Sequence, residues 1–198
     1  MKYSIILLEY DPENKMEAMR KECRSLLEKH SRGDHEIISV AEKGQAKAFN
    51  MGLAQATGDY LFMVCSDVMV HDDRWLEKMA VPDTIVSWRE RTMFITGERE
   101  LEMSLFGFPR NIYEAIGGWD EVFSGGYGFD DDDFLRRARD AGFFTEIAGV
   151  NAEHLESRTF RSYYGEKEFQ QLKKRNEDIF CERYKGDWKI DSYKKTHA

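Results

Sequence analysis

Residues 60–65 read Tyr-Leu-Phe-Met-Val-Cys, an unbroken apolar run between Gly58-Asp59 and Ser66-Asp67. A strand with one wet face alternates apolar and polar residues, so a run with no polar position suits a strand covered on both faces. The flanking segments supply the covers. Residues 3–8 form another β-rich run, ended by Glu9 and a turn at Asp11-Pro12. Residues 14–30 place Met16, Met19, Cys23, Leu26, Leu27 and His30 at helical spacing, and residues 36–40 read as a second strand. From Gly44 onward Ala46, Phe49, Leu53 and Ala56 share one helical face, with Gly58 where a C-terminal cap belongs. Asp72 begins a short helix carrying Trp75, Leu76 and Met79. The order β-α-β-α-β-α predicts an α/β fold, a mainly parallel sheet with helices on both faces. Ligands of such sheets bind at the C-terminal ends of the strands. Those ends are residues 8–10, 40–42 and 65–67.

The second half is less regular. Residues 84–88, 92–96 and 103–108 read as strands, and Asn111 as the cap of a short helix ending at Gly117-Gly118. A helix over 133–141 turns Phe134, Leu135, Ala138 and Ala141 inward. A strand over 143–148 leads to Glu153-His154, and residues 163–184 form an amphipathic helix using Phe169, Leu172, Asn176, Ile179 and Phe180. The tail from Lys185 is polar and reads as loosely held. The expected organisation is one domain over 1–160, in two halves at 1–82 and 83–160, then a C-terminal helix and tail over 161–198.

Composition narrows the partners. Thirty-seven acidic against 29 basic residues leave a net charge of −8, which argues against binding a nucleic-acid polymer. A nucleotide remains compatible, because a metal ion offsets repulsion between carboxylates and phosphates. Cys23, Cys65 and Cys181 are few, odd in number and far apart, so a reduced, cytoplasmic setting is expected. The apolar run at 4–8 is too short for a membrane span.

Four consecutive aspartates, Asp130 to Asp133, follow a glycine-aromatic loop. One or two acids at a helix start serve as caps. Four repel one another, so the run also suits a general base or a grip on hydroxyl-rich substrates. Asp67, at the end of the buried strand, reads either as a turn residue or as a metal ligand. His154, after a later strand, reads either as a hydrogen-bonded surface histidine or as its partner on Mn2+ or Mg2+ with phosphate oxygens.

The order of these motifs resembles a known family. Gly44 to Val68 contains Ala48-Phe49-Asn50-Met51-Gly52-Leu53, then Ala56-Thr57-Gly58-Asp59-Tyr60, then a strand ending Cys65-Ser66-Asp67. This is similar to the donor half of family 2 glycosyltransferases, whose strand ends in Asp-x-Asp. Residues 110–121, with Gly117-Gly118-Trp119-Asp120-Glu121, and the run at 127–134 resemble that family's acceptor-side motifs. The run also resembles the acidic loop of β-1,4-galactosyltransferases. The resemblance implies a GT-A (nucleotide-diphospho-sugar transferase) fold and a glycosyltransferase that is inverting and metal-assisted. It implies a nucleotide-sugar donor, a UDP-sugar favoured, and a carbohydrate or other hydroxyl acceptor. Asp67 and His154 would hold the metal, and Asp131 would be the base with Asp130 as runner-up. Tyr10, Glu42, Lys47, Asn50, Ser66 and Asp67 would bind the donor. Trp119, Asp120, Tyr127 and Asp132 would contact the acceptor, Trp119 either by stacking on a sugar or simply as a core aromatic. Gly125, Gly126 and Gly128 would serve a closing loop or a tight turn. Cys65 replaces the first Asp of Asp-x-Asp.

Two other readings remain. One is a degenerate module that holds a sugar nucleotide or glycan without turnover. The other is a nucleotidyltransferase, disfavoured because residues 8–14 are acidic and lack glycine. A P-loop kinase is excluded by the absence of its motif.

Overall fold

The computed structural model describes residues 1–92, 99–125, 127–155 and 165–185. Its centre is a six-stranded sheet in the order β2-β1-β3-β8-β5-β9. The strands are β1 Tyr3–Leu8, β2 His35–Val40, β3 Tyr60–Cys65, β5 Thr84–Ser87, β8 Leu105–Pro109 and β9 Phe144–Ile147. β1 pairs in parallel with β2 and β3, and β5 with β9. Only β8 runs against its neighbours β3 and β5. Four short strands among the described residues lie outside this sheet: β4 Val68–Val70, β6 Glu90–Thr92, β7 Arg99–Leu101 and β10 Ala152–His154. β6 and β7 pair as a two-stranded ribbon.

Period-2 alternation distributes the sheet's side chains between two cores. Ile5, Leu7, Phe62 and Val64 face helix α1 (Glu17–His30) and helix α3 (Trp75–Met79), packing with Cys23, Leu27, Trp75 and Met79. Ile6, Leu61, Met63, Phe106 and Phe108 pack with helix α2 (Gln45–Gln55), helix α4 (Arg110–Ile116) and helix α5 (Asp130–Asp140), through Phe49, Leu53, Ile112, Phe134 and Leu135. The buried run at 60–65 is therefore, like β1, a strand that both helical layers share.

Several local expectations change. α2 ends at Gln55 with Ala56 as its cap; Gly58 is required instead because a Cβ there would lie 2.7 Å from the Ser4 amide nitrogen. Pro109, not Asn111, precedes α4, and the Asn111 side chain donates to Asp83 at 2.7 Å. α5 begins at Asp130, so the acidic run is its first turn, and Ala141 is exposed beyond its end. The C-terminal helix, α6, spans Glu166–Tyr184. Residues 93–96 of the expected strand, residues 163–164 of the expected helix, Gly126, and the tail after Lys185 lie outside the described residues. No helix among the described residues is long and apolar enough to cross a membrane.

Candidate functional site

A cavity of ≈ 440 Å³ opens at the C-terminal ends of β1, β2 and β3. Leu8, Tyr10, Glu42, Cys65, Ser66 and Asp67 form its floor, where the parallel strands stop. Asp67 is 4% exposed. The chain turns there into β4, which pairs antiparallel with β10 (Ala152–His154) so that His154 lies opposite Val68. The Leu155 N–H closes this ribbon on the Asp67 carbonyl at 2.9 Å. The pairing brings His154 Nε2 to 3.4 Å from Asp67 Oδ1, across 87 positions of sequence. Glu102 Oε1 sits 3.6 Å from the other imidazole nitrogen. Burial opposes a charge on His154, but the Asp67 hydrogen bond and charge, with Glu102, outweigh it and raise its pKa. Burial, then the Asp67 charge, pushes the Cys65 thiol well above its usual range, so it stays protonated.

The opposite wall is the first turn of α5. Asp130 and Asp131 line the cavity; Asp132 and Asp133 do not. Asp131 Oδ1 accepts from Gln45 Nε2 at 3.0 Å and Trp119 Nε1 at 3.3 Å. Asp130 is 4% exposed, and its carboxylate accepts backbone N–H groups of its own turn. Burial raises its pKa to about 6. Burial and the neighbouring Asp130 charge raise Asp131 well above the carboxylate range. Two adjacent buried carboxyls cannot both ionise cheaply, so they titrate as a pair.

The backbone ahead of this turn is strained. Phe129 has φ 67, a left-handed conformation that an aromatic residue adopts only when its surroundings impose it. The surroundings are α6. Asn176, fully buried, donates to the carbonyls of Phe123 at 2.9 Å and Gly128 at 2.8 Å. Phe180 packs with Phe123 and Phe129. The loop expected to close over the donor is thus tied down at both ends, and its first part is a 3₁₀ turn over Glu121–Gly125. Ser124 of that turn accepts the Lys47 N–H at 3.0 Å, capping α2 from a distant part of the chain. Gly44, at the helix start, leaves room for this approach: a Cβ there would lie 2.8 Å from the Ser124 carbonyl oxygen.

The model of glycosyl transferase family 2 matches residues 17–82. The catalytic domain of Drosophila beta1,4-galactosyltransferase 7, in complex with xylobiose, superposes with a TM-score of 0.60 at 17% identity, covering 88% of this chain and 80% of that one. A mannosyltransferase from Pyrobaculum calidifontis, in complex with GDP-Man and Mn2+, superposes at 0.56 and 15%, covering 81% of this chain and 59% of that one. S. aureus TarS gives 0.56 at 12%, covering 94% and 73%. This is a GT-A fold with a family 2-like donor half. The family match points to a glycosyltransferase, and the galactosyl- and mannosyltransferase neighbours share its fold. No curated protein matches the chain.

Of the residues expected on the donor side of the GT-A core, Tyr10, Glu42, Ser66 and Asp67 line the cavity. Lys47 and Asn50 do not. Lys47 Nζ pairs with Glu42 at 3.2 Å. Asn50 clamps the Trp119 backbone, accepting its N–H at 2.8 Å and donating to its carbonyl at 2.9 Å. A Cβ on Gly118 would meet Asn50 Oδ1 at 2.1 Å, which accounts for that glycine.

On the acceptor side only Tyr127 lines the cavity. Trp119 is a core aromatic, 3% exposed and stacked on Phe134 at 3.8 Å, so its ring is not a sugar platform. Asp132 is buried against Arg91 at 2.5 Å, and Asp120 pairs with Arg183 at 2.6 Å. Sequence reasoning passed over Gln45, Arg91, Glu102, Glu168 and Leu172, all on the wall. Gln45 stands beside Gly44 in the quoted motif. Arg91 comes from the three-residue β6 and Glu102 from the residue just after β7, where there is little periodicity to read. Glu168 and Leu172 come from α6, which was expected to be an appendage.

Proposed function

We propose that the chain transfers a sugar from a nucleotide-sugar donor, with a UDP-sugar favoured, to a hydroxyl of a carbohydrate acceptor, with inversion at the anomeric carbon. The observation that carries this reading is one cavity, at the ends of parallel strands, walled by the Asp67–His154 pair on one side and the Asp130–Asp131 pair on the other. The first pair suits a diphosphate end and the second an attacking hydroxyl. Tyr10, Glu42 and Ser66 bind the donor beside Asp67, and Lys47 acts through Glu42. Asn50 supports the acceptor side. Tyr127 contacts the acceptor.

Asp67 and His154 would hold a divalent ion, Mn2+ or Mg2+. One carboxylate and one imidazole suit such an ion. Among the described residues no third His, Cys, Asp or Glu joins them in a metal-holding group, so donor oxygens and water would complete the shell. When bound, the ion offsets charge on the leaving diphosphate. The protein's own work is proton transfer and orientation. Asp131 takes the proton of the acceptor hydroxyl as its oxygen bonds to the anomeric carbon and the bond to the diphosphate breaks. One base and an in-line attack suffice, with no covalent intermediate. The three cysteines are free, which suits a reducing, cytoplasmic compartment.

Cys65 keeps a second reading open, a sugar-nucleotide-binding module without turnover. A thermal-shift screen of UDP-Gal and GDP-Man, with and without Mn2+, tests both. These donors are those bound, with manganese, by the Drosophila and Pyrobaculum neighbours. A donor at ~100 times its Kd stabilises by about 2.7 kcal/mol. Stabilisation with no transfer to any hydroxyl acceptor would favour the binding module. No stabilisation by any nucleotide sugar would reject both.

A further inference from the structure

Among the described residues, Asp131 is held by one oxygen. Gln45 Nε2 and Trp119 Nε1 both converge on Oδ1, at 3.0 and 3.3 Å. No hydrogen bond among the described residues reaches Oδ2. An indole N–H is a donor and never an acceptor, so Oδ1 accepts from Trp119, and an oxygen already accepting there is the less favourable of the two to carry a proton. Gln45 presents its amide nitrogen, a second donor to the same oxygen. Oδ2 is left as the atom that gains and loses the proton.

We infer that Gln45 and Trp119 are positioning residues that hold Asp131 by Oδ1 and leave Oδ2 as the proton-accepting atom. The inference rests on the proposed role of Asp131 as base and adds which atom acts and what aims it. The two donors come from different parts of the fold. Gln45 opens α2 in the donor half, a helix capped by Ser124 of the acceptor half. Trp119 is locked between Phe49 at 5.0 Å and Phe134 at 3.8 Å, and its backbone is clamped by Asn50. The ring cannot swing without disturbing the core. The base is thereby referenced to the donor-side helix rather than to its own helix alone. The charged groups near it are Asp130 and Asp132 of its own turn and Arg91 of β6. The first two disfavour its ionisation and Arg91 favours it. The two N–H donors act with Arg91, since donation to a carboxylate favours the charged form.

The deciding experiment needs no substrate. In the full chain, the Asp131 carboxyl is titrated by 13C NMR, with its signal assigned by its loss in Asp131→Asn. Removing either donor, in Gln45→Leu or Trp119→Phe, is expected to move the Asp131 midpoint upward. The double variant moves it further, and Gln45→Glu moves it more than Gln45→Leu. Gln45 is half-buried at the cavity wall, so its variants keep the fold even where Trp119→Phe loses packing. An Asp131 midpoint unchanged in Gln45→Leu, with an unchanged melting temperature, overturns the inference. Once a donor is found in the nucleotide-sugar screen, Gln45→Leu should lower kcat about tenfold near neutral pH, the scale of one hydrogen bond to a charged group. Donor KM should not move, and the rate should recover as pH rises. Failure of the base role itself would show separately: Asp131→Asn would keep full transfer while the midpoints still shift.

Discussion

Asp130 and Asp131 are covalent neighbours of Asp132 and Asp133, in the same helical turn, yet the two pairs have opposite surroundings. The first pair faces the cavity with no cation among the described residues within ion-pair distance, and burial raises both pKa values. The second pair is saturated. Asp132 meets Arg91 at 2.5 Å. Asp133, with no exposed surface, accepts from Arg137 at 2.9 Å, Arg183 at 2.6 Å and the Tyr184 hydroxyl at 2.8 Å. One pair stores electrostatic cost at a reactive surface, and the other spends its charge holding α5 to α6 and to β6. Four like charges in a row are tolerable because only two of them lack cations. The contrast separates a change that should stop chemistry from one that should loosen the fold.

The largest expected effect is on turnover. Asp131→Asn keeps the shape and the hydrogen-bond acceptor but cannot take a proton. Transfer should fall by about 100-fold or more, with donor affinity near wild type by calorimetry. Turnover within a few-fold of wild type would move the role to Asp130. Asp133→Asn should do the reverse. It leaves Arg137 and Arg183 with one charge fewer between them, and the loss of one member of a buried ion pair costs about 3 kcal/mol. Because both arginines are partly exposed, the cost belongs at the low end of that range. Denaturant unfolding measures it. A stability loss in Asp131→Asn as large as that in Asp133→Asn would erase the distinction.

The pH dependence sharpens the same contrast. Asp130 is raised from 3.8 to about 6, and Asp131 also lies high. The ionised base is therefore lost on acidification sooner than an ordinary carboxylate would be, and the acid limb of kcat should lie above pH 5. Folding carries the opposite sign. A carboxyl raised on folding destabilises the native state once pH exceeds its unfolded value of about 3.9, and the full cost is present above the folded value. Asp130→Asn should therefore raise the melting temperature at pH 8 and leave it nearly unchanged at pH 4, with a gain on the order of 2 kcal/mol. A gain of equal size at both pH values would mean that packing, not charge, is responsible.

The sequence carried the donor half more fully than the acceptor half, for a physical reason. The period of apolar residues reports which face is covered, and over 3–65 that sufficed to set the strand and helix order, while the three-residue β4 that follows went unread. It could not report that β8 runs antiparallel, because an apolar strand reads the same in both directions. Asp67 and His154 were legible as candidates, but their approach to 3.4 Å depends on the β4–β10 ribbon, whose strands are three residues each. In the acidic run the chemistry was legible and the partners were not. Arg91, Arg183 and Tyr184 are 41, 50 and 51 positions from the aspartates they touch. Trp119 stood beside the right motif, but whether an indole shows its face or its N–H is decided by Phe49 and Phe134.

Asp120 gives the smallest effect and tests how far the acceptor surface extends. Motif order alone placed it with the acceptor. Its carboxylate instead bonds the Val122 N–H at 3.0 Å and Arg183 at 2.6 Å, and its side chain is 37% exposed. Arg183 also holds Asp133, so Asp120 is the outer end of the network whose inner end is buried. An exposed pair of this kind contributes less than about 1 kcal/mol. Asp120→Asn should lower stability by no more than that, and less at high salt, while leaving kcat and acceptor KM unchanged. A several-fold rise in acceptor KM with stability intact would return Asp120 to the acceptor surface and extend that surface beyond the cavity wall. A stability loss near that of Asp133→Asn would instead mean that the two carboxylates act as one unit through Arg183, and a double variant would then be far less than additive.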